Sequence, residues 1–402
     1  ILEMAEHKKD GKCKALIVSG CLAHRYHDEI EKEIPEVDAL LGTASYDKIA
    51  EVVLSVLEGK GYSCIDDADR LVMTKDERII TTGGYYEYLK IAEGCDKHCT
   101  YCIIPKVRGN YRSYPMEYLV KQAEQFAEKG VKELILVAQE TTVYGVDIYG
   151  KKMLAELVKK LAAIKDIAWI RILYCYPEEI DDALIEVIKN EPKVCHYLDM
   201  PIQHASDSIL KKMGRRTTKQ ELKDVINKLR ENIPDIALRT TLITGFPGET
   251  QKDHEEMLDF VDEMEFDRLG VFTYSPEEDT PAAVMPDQID EAVKEKYRDE
   301  IMQLQQEISA EEVKEQRRDA VMELQQEVSL DKSEEMVGKV IDCLIEGKIE
   351  DDDTYVGRSY KDAPNVDGFV FVKTDANLMS GDIVKVRIDG AMEYDLIGSL
   401  CD

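Results

Sequence analysis

The chain has 402 residues, of which 44% are hydrophobic and 33% charged, and its formal net charge is −30 at pH 7. This length accommodates two or three domains, and so acidic a chain should repel nucleic acid and attract basic partners. Its ten cysteines are too few for a disulfide scaffold of this size, and no apolar run is long enough to span a bilayer. We therefore expect a cytoplasmic protein with no membrane partner.

Residues 1–62 alternate between short apolar runs and amphipathic segments. After a helix end at 1–10, the pattern predicts strands at 14–19 and 37–42, a turn at 20–23, and helices at 26–33 and 46–57. This alternation indicates a partial α/β layer with a parallel sheet. The polar residues 60–84 are interpreted as a linker. Because the chain begins within a helical pattern and without Met, we expect this N-terminal domain to be truncated.

A longer α/β alternation extends over residues 80–280. Strands are predicted at 86–92, 132–138, 168–174, 195–200, 237–244 and 268–274. Helices are predicted at 116–129, 152–164, 178–189, 206–213, 218–232 and 250–264. Six β/α units favour an incomplete (β/α)6 barrel, in which the chemistry lies at the C-terminal ends of the strands.

Two further regions follow the barrel. Residues 281–335 predict a charged helical connector, in which the segment 293–309 recurs at 313–329 with eleven of seventeen positions identical. We interpret the second copy as a tolerated insertion in a connecting helix. Residues 336–402 contain five short strand patterns separated by turns, which predict a small five-stranded β-barrel.

Three cysteines lie close together after the first barrel strand. Cys95, Cys99 and Cys102 have the spacing C-x3-C-x2-C, and intracellular thiols this close are better explained as metal ligands than as disulfides. Three soft thiolates suit a [4Fe-4S] cluster and leave one iron open for a substrate. A zinc knuckle is the alternative, but zinc would require a fourth ligand nearby, for which His98 is the only choice.

Further polar or glycine residues follow other barrel strands, namely Gln139, Glu140, Gln203, His204 and Gly245, and Arg239 lies on the predicted strand 237–244. Side chains at the C-terminal ends of strands can reach the open face of the barrel. Three simpler interpretations stay open. Gln139 and Glu140 fit a helix-capping loop equally well, Arg239 fits an ion pair with a neighbouring carboxylate, and His204 is interpreted as structural.

The cysteine segment resembles the signature of radical S-adenosylmethionine (SAM) enzymes, and the segment Val-Ser-Gly-Cys-Leu-Ala at 18–23 resembles that of the radical SAM methylthiotransferases. The resemblance covers nearly the whole chain and implies a radical SAM barrel, a C-terminal TRAM-like barrel and the truncated N-terminal domain. It implies that Cys95, Cys99 and Cys102 hold the SAM-binding cluster. It also implies that Cys21 is one ligand of an auxiliary [4Fe-4S] cluster, whose other two ligands are absent from this chain.

The resemblance further implies a set of SAM contacts: Tyr101, Gln139, Glu140, Gln203, Arg239, Ile243 and Gly245. Tyr101 would lie near the adenine. Ile243 and Gly245, at the end of the predicted strand 237–244, would lie near the adenosine. Gln139 and Glu140 would hold the SAM amino group, and Arg239 would reach the carboxylate. Reductive cleavage of SAM would then give a 5′-deoxyadenosyl radical. With one complete cluster, the chain is expected to cleave SAM without completing methylthio transfer.

Two branches of this family have different substrates, an adenosine of transfer RNA or the β-carbon of an aspartate in ribosomal protein uS12. The segments at 138–145, 201–207 and 357–368 resemble the second branch. Residues 337–402 contain seven Lys and Arg against fourteen Asp and Glu, whereas an RNA-binding barrel needs a basic face. The carboxylates expected to be exposed there are Asp351, Asp352, Asp353, Asp362, Asp367, Asp375, Asp382 and Asp389.

The sequence therefore predicts methylthiolation of uS12 by a radical SAM enzyme, with RNA binding unlikely. The resemblance also implies an electron donor such as flavodoxin or ferredoxin. A transfer-RNA methylthiotransferase, or a non-catalytic acidic adaptor that binds a basic ribosomal protein, remain the alternatives.

Overall fold

A computed structural model describes residues 1–74, 78–309, 336–349, 353–364, 368–391 and 395–401. Within these ranges no helix has the length and apolar character needed to cross a bilayer. The second copy of the duplicated helix, at 313–329, lies outside the described residues, so the interpretation of the duplication stays a prediction.

The N-terminal segment forms a small two-stranded parallel sheet with helices around it. Its elements are α1 (Leu2–Lys9), β1 (Ile17–Ser19), α2 (Cys21–Arg25), α3 (His27–Glu33), β2 (Ala39–Leu41), a 3-10 helix (Tyr46–Lys48) and α4 (Ile49–Leu57). The predicted turn at 20–23 is wrong, because α2 begins at Cys21. Residues 60–74 are more than a linker, because they contact the rest of the fold. The backbone at Cys64 forms a parallel β-bridge with Leu41, and Asp69 accepts hydrogen bonds from Asn110.

The central barrel contains the predicted six parallel strands. The strands from 86 to 273 are β3 (Tyr86–Lys90), β4 (Ala92–Glu93), β5 (Arg112–Ser113), β6 (Glu133–Val137), β7 (Trp169–Ile172), β8 (Val194–Asp199), β9 (Ala237–Thr244) and β10 (Arg268–Thr273). All except β4 and β5 belong to one parallel sheet in the order β10-β9-β8-β7-β6-β3. The sheet is not closed between β10 and β3, which confirms the partial barrel.

Helices connect the strands of this sheet and follow its last strand. They are α5 (Ile104–Arg108), α6 (Met116–Glu128), α7 (Val146–Tyr149), α8 (Leu154–Ala162), α9 (Asp182–Asn190), α10 (Asp207–Lys212), α11 (Lys219–Asn232), α12 (Gln251–Met264) and α13 (Glu291–Ser309). Capping boxes at Thr218 and Thr250 start α11 and α12. On β9, Leu238 and Leu242 are fully buried in the core beneath the helices, so the alternate residues face the barrel interior.

The C-terminal region is a separate closed barrel with its own apolar core. Its strands are β11 (Val340–Lys348), β12 (Thr354–Arg358), β13 (Val370–Lys373), β14 (Ile383–Ala391) and β15 (Leu396–Leu400). They pair in the order β11-β12-β13-β15-β14, which confirms the predicted five-stranded barrel.

A buried ion triad attaches the C-terminal barrel to the central one. Glu133, the first residue of β6, accepts hydrogen bonds from Arg171 Nε at 2.8 Å and from Arg358 Nη2 at 2.7 Å, and all three side chains are fully buried. Arg268, at the start of β10, donates to Asp362 Oδ1 at 2.6 Å. These contacts lie toward the N-terminal ends of the parallel strands. The C-terminal barrel therefore packs on the edge opposite to the loop that follows β3.

Candidate active site

The three signature cysteines lie in a loop at the C-terminal edge of the central barrel. The loop leaves β3, and the antiparallel pair β4–β5 closes its base. Gly94 has a positive φ of 75°, and a Cβ there would lie 2.1 Å from the Asn110 carbonyl oxygen, so only glycine fits. The Gly94 N–H donates to Gln139 Oε1 at 2.8 Å. Gln139 thus fixes the start of the cysteine loop from the end of the neighbouring strand.

Two of the three signature thiols, Cys95 and Cys102, have raised pKa values. Cys95 and Cys99 are buried and Cys102 is half-buried. Burial raises the pKa of Cys95 to about 11, and the nearby Glu140, Cys99 and Cys102 add to the rise. Burial and the charge of Cys99 also raise the pKa of Cys102. Thiolates in this loop therefore repel one another, and a positively charged iron centre would relieve that repulsion.

Within the described ranges, no three His, Cys, Asp or Glu side chains are arranged as a site for a metal ion. Three thiolates are the donor set that an iron–sulfur cluster takes, because soft sulfur ligands suit iron and each cysteine can bind a different iron of the cubane.

Glu140 supplies a buried oxygen with no partner beside the cysteines. Its side chain is 1% exposed, Oε1 accepts from the Thr142 N–H at 3.0 Å, and Oε2 has no hydrogen-bond partner. Lys97 Nζ lies 3.9 Å from Oε2. Burial raises the pKa of Glu140 to about 7. Because an unpaired buried carboxylate oxygen is costly, this arrangement suits a cationic group of a ligand.

The turn after β9 lies beside the cysteine loop. Tyr101 packs against Phe246 with their ring planes at 83°, and Ile243 belongs to the same apolar cluster. Gly245, with φ at 70°, and Phe246 donate their N–H groups to Glu249 Oε2 at 2.6 and 3.0 Å. Three of the predicted contacts, Tyr101, Ile243 and Gly245, therefore come together at one wall of the site.

The segment after β8 is held by backbone contacts. The Gln203 N–H donates to the Thr241 carbonyl oxygen, and the Gln203 carbonyl oxygen accepts from the Ile243 N–H. His204 is fully buried, and its Nδ1 accepts from the N–H groups of Ala205 and Ser206 at 3.0 and 2.9 Å. These contacts agree with a structural role for His204.

Two arginines lie near the barrel's open face, one singled out by the sequence and one not. Arg239 Nη1 donates to Asp199 Oδ1 at 2.7 Å, which is the ion pair left open above. Arg215, in the loop between α10 and α11, lies beside the cysteines, and sequence reasoning missed it. Arg215 does not lie at the end of a strand, where site residues of such barrels are expected. The signal in the sequence for a role in the site was the basic pair Arg215–Arg216 in a polar segment.

The N-terminal segment covers the same edge of the barrel. Thr43 Oγ1 donates to the Val107 carbonyl oxygen at 2.9 Å. Arg25 pairs with Glu277 in the loop after β10. Cys21, at the start of α2, is half-buried, and α2 packs against α5 of the cysteine loop. The geometry thus places Cys21 on the same side of the molecule as the signature cysteines.

Known families and proteins match most of the chain. The Radical SAM superfamily profile matches residues 89–261, and the TRAM domain profile matches residues 337–401. The chain is 60% identical to "Ribosomal protein uS12 methylthiotransferase RimO" of Lachnoclostridium phytofermentans over 99% of this chain and 86% of that protein. It is 48% identical to the protein of that name from Clostridioides difficile, over 100% of this chain and 85% of that protein.

A solved structure agrees with the fold. The radical SAM methyltransferase TsrM of Kitasatospora setae, solved with cobalamin and a [4Fe-4S] cluster bound, aligns with a TM-score of 0.54 over 70% of this chain and 61% of that one. The two sequences are 13% identical, so this likeness concerns the fold alone.

Proposed function

The chain belongs to the RimO family of ribosomal protein uS12 methylthiotransferases, and we propose that the enzyme, with its auxiliary cluster complete, replaces one hydrogen on an aspartate β-carbon of uS12 by a methylthio group. It is a radical SAM enzyme. The observation that carries the proposal is the loop with Cys95, Cys99 and Cys102 at the C-terminal edge of the partial barrel. The proposed substrate, uS12, is the one given in the name of a relative that is 60% identical to this chain.

The three loop cysteines would hold a [4Fe-4S] cluster that binds SAM. When bound, the cluster and SAM supply one-electron chemistry that removes hydrogen from an unactivated C–H bond. A side-chain base is unsuited to this step because such a C–H bond is not acidic. An electron donor such as flavodoxin or ferredoxin would reduce the cluster, and we place the reaction in the cytoplasm, where ribosomal proteins are present.

The protein residues position and enclose the reactants in this proposal. Gln139 orients the cysteine loop through the Gly94 N–H. Glu140 Oε2, which has no hydrogen-bond partner among the described residues, would accept a hydrogen bond from the SAM ammonium group. Tyr101 and Ile243 would form an apolar wall beside the adenosine and keep water from it. Gln203 would line the pocket beside β9.

Cys21 would be a ligand of the auxiliary cluster that supplies the sulfur. The contacts of Arg25 with Glu277 and of Thr43 with Val107 hold the segment that carries Cys21 next to the cysteine loop. A sulfur donor on that side would meet the same substrate carbon as SAM.

The negative charge of the C-terminal barrel would attract uS12, a basic protein, and speed the association of the two proteins. Asp353, Asp375 and Asp389 are exposed. The expectation that Asp362 is exposed is wrong, because it is 3% exposed and pairs with Arg268, and Asp382 is half-buried. The other predicted carboxylates, at 351, 352 and 367, lie outside the described residues. Since this barrel packs on the edge away from the cysteines, its charge would steer uS12 from a distance.

Replacing Asp353, Asp375 and Asp389 together by Asn is expected to slow the association of the full chain with purified uS12. The rate should fall roughly 3- to 10-fold at low ionic strength, and the difference should disappear at high salt because of screening. Stopped-flow or surface-based kinetics at two salt concentrations, with transfer RNA as a competitor, measures this effect.

A matched control has the same change of charge elsewhere. Asp28, Asp182 and Asp299 have side chains that are 86%, 87% and 67% exposed, and their replacement by Asn should slow association less. Equal slowing by both triple variants would refute a steering role for the C-terminal barrel. Tighter binding of transfer RNA than of uS12 would contradict the proposed substrate.

A further inference from the structure

The last strand of the parallel sheet, β10, has an open edge, because it pairs with β9 on one side and ends the sheet on the other. The Tyr274 N–H donates to the Thr244 carbonyl oxygen at 2.8 Å, and in a parallel pair alternate residues bond to the same neighbouring strand. The backbone N–H and C=O groups of Leu269, Val271 and Thr273 therefore point away from β9. Within the described ranges these groups have no hydrogen-bond partner.

The opposite edge of the sheet, on β3, is already in use. The Tyr86 carbonyl oxygen accepts from Thr82 Oγ1 at 2.6 Å, and the Tyr88 carbonyl oxygen accepts from Arg78 Nη1 at 2.9 Å. The Tyr88 N–H donates to Glu87 Oε1 at 3.1 Å. Side chains thus satisfy backbone groups at the edge of β3. The edge of β10 remains a template on which another strand can pair.

A cavity of about 450 Å³ lies beside the open edge. It is lined by Leu269 and Gly270 of β10, Met302 of α13 and Phe369 of the C-terminal barrel, among others. Of the atoms that the structure describes, the Phe272 ring alone would come within 4.0 Å of a Cβ at Gly270. Phe272 is on the same face of the strand, and its side chain is 62% exposed. The cavity therefore has room and an apolar contact for the side chains of an extended segment.

Strand β10 connects this cavity with the edge of the barrel that carries the cysteines. At its start, Arg268 pairs with Asp362 of the C-terminal barrel. After its end, the Tyr274 ring packs on Phe246 with ring centres 5.3 Å apart, and Phe246 in turn packs against Tyr101 of the cysteine loop. A strand of this length spans roughly 17–20 Å. A segment lying along β10 would run from the C-terminal barrel to the active site.

The charges around the cavity favour a basic segment. Its two arginines, Arg239 and Arg268, each pair with a carboxylate. Asp267 and Asp395 also line the cavity, so negative charge is in excess among the described lining residues and their partners. The whole chain carries a formal charge of −30. A positively charged protein segment is therefore the complementary occupant.

We propose that an extended segment of uS12 binds as an added strand on the open edge of β10, through the backbone groups of Leu269, Val271 and Thr273. This inference rests on the proposed function, since it takes uS12 as the substrate. In such an arrangement, backbone hydrogen bonds supply affinity and pockets beside the strand select side chains. The added strand leads the substrate aspartate from the C-terminal barrel toward the cysteine loop.

Hydrogen exchange of the β10 amides in the full reconstituted chain tests this mode of binding. The amides of Leu269, Val271 and Thr273 should exchange at least about 10-fold more slowly once uS12 is bound, because they gain hydrogen bonds. The amides of Gly270 and Phe272 already bond to β9 and should change little. Mass spectrometry with residue-level fragmentation measures each amide. Unchanged exchange at the three edge amides, with uS12 bound, would overturn the inference.

Val271→Pro removes one edge N–H and places a ring at the edge. An edge strand tolerates proline where the N–H has no partner, and the preceding Gly270 is already extended in β10. The affinity for uS12 should fall roughly 10-fold, while iron content, which reports folding, stays near wild type. Val271→Ala is the matched control, since it shortens the side chain and keeps the N–H, and it should retain the affinity. Equal affinity in Val271→Pro, or equal weakening in both variants, would contradict strand addition.

Two further outcomes separate this inference from the proposed function. Slower exchange at the edge amides when the chain is concentrated without uS12 would assign the edge to a second copy of this chain and overturn the inference alone. Failure of the wild-type chain to bind uS12 would overturn the proposed function, and this inference with it.

Discussion

Cys99→Ala is expected to abolish the reductive cleavage of SAM. A [4Fe-4S] cluster held by three cysteines has no spare protein ligand, and the two remaining thiols, Cys95 and Cys102, would not hold it stably. Iron and sulfide should fall to a small fraction of wild type, and 5′-deoxyadenosine should not form when dithionite and SAM are added. Elemental analysis together with chromatography of the nucleoside product measures both effects.

Cys195→Ala is the matched control for this replacement. Cys195 is a buried thiol on β8, 3% exposed, in the cluster that faces the C-terminal barrel. Its loss should cost some packing stability and leave iron content and SAM cleavage near wild type. Full iron content and cleavage in Cys99→Ala would show that the cluster has other ligands.

Glu133→Ala is expected to lower the free energy of unfolding by about 3–5 kcal/mol, because it removes the carboxylate between the buried guanidinium groups of Arg171 and Arg358. Arg358 still pairs with Glu346 in this variant. The attachment of the C-terminal barrel to the central one should loosen at the same time. Urea unfolding followed by circular dichroism measures the stability. Limited proteolysis of the full chain, with the fragments identified by mass, measures the release of the barrel.

The exposed pair Lys228–Asp182 is the control for this triad. Its N···O distance is 2.5 Å, and the two side chains are 48% and 87% exposed, so Asp182→Ala should cost less than about 1 kcal/mol. Burial would raise the pKa of Glu133, but the adjacent Arg171 and Arg358 lower it below its usual value. The contribution of Glu133 to the free energy of unfolding is therefore present above the usual carboxylate pKa. It is lost as the pH falls through the lowered pKa of the folded state. A similarly small effect for Glu133→Ala would contradict the role of the triad.

Local periodicity predicts most of the fold. The strand pattern at 237–244 coincides with β9, and the helix predicted at 250–264 differs from α12 by one residue at its start. The start of α12 carries a local signal, the capping box at Thr250. The cysteine spacing likewise depends on neighbouring residues, so the sequence alone could identify the candidate ligands.

Contacts between distant segments could not be predicted in this way. Arg358 and Glu133 are 225 positions apart, and nothing local shows that Asp362 pairs with Arg268. The surroundings of Arg239 and Arg215 could not be predicted for the same reason. Arg239 lies on a predicted strand, yet its carboxylate partner is 40 positions away, whereas Arg215 reaches the site from a loop between two helices.

Transfer of deuterium from uS12 to the nucleoside product of SAM tests the proposed reaction most directly. The reconstituted chain is incubated with SAM, a reductant and uS12 whose aspartates carry deuterium on the β-carbon. We expect deuterium in the 5′-deoxyadenosine, and none when unlabelled uS12 or transfer RNA replaces the labelled protein. Cleavage of SAM in the presence of bound, labelled uS12 that yields only deuterium-free 5′-deoxyadenosine would contradict the proposed attack on an aspartate β-carbon.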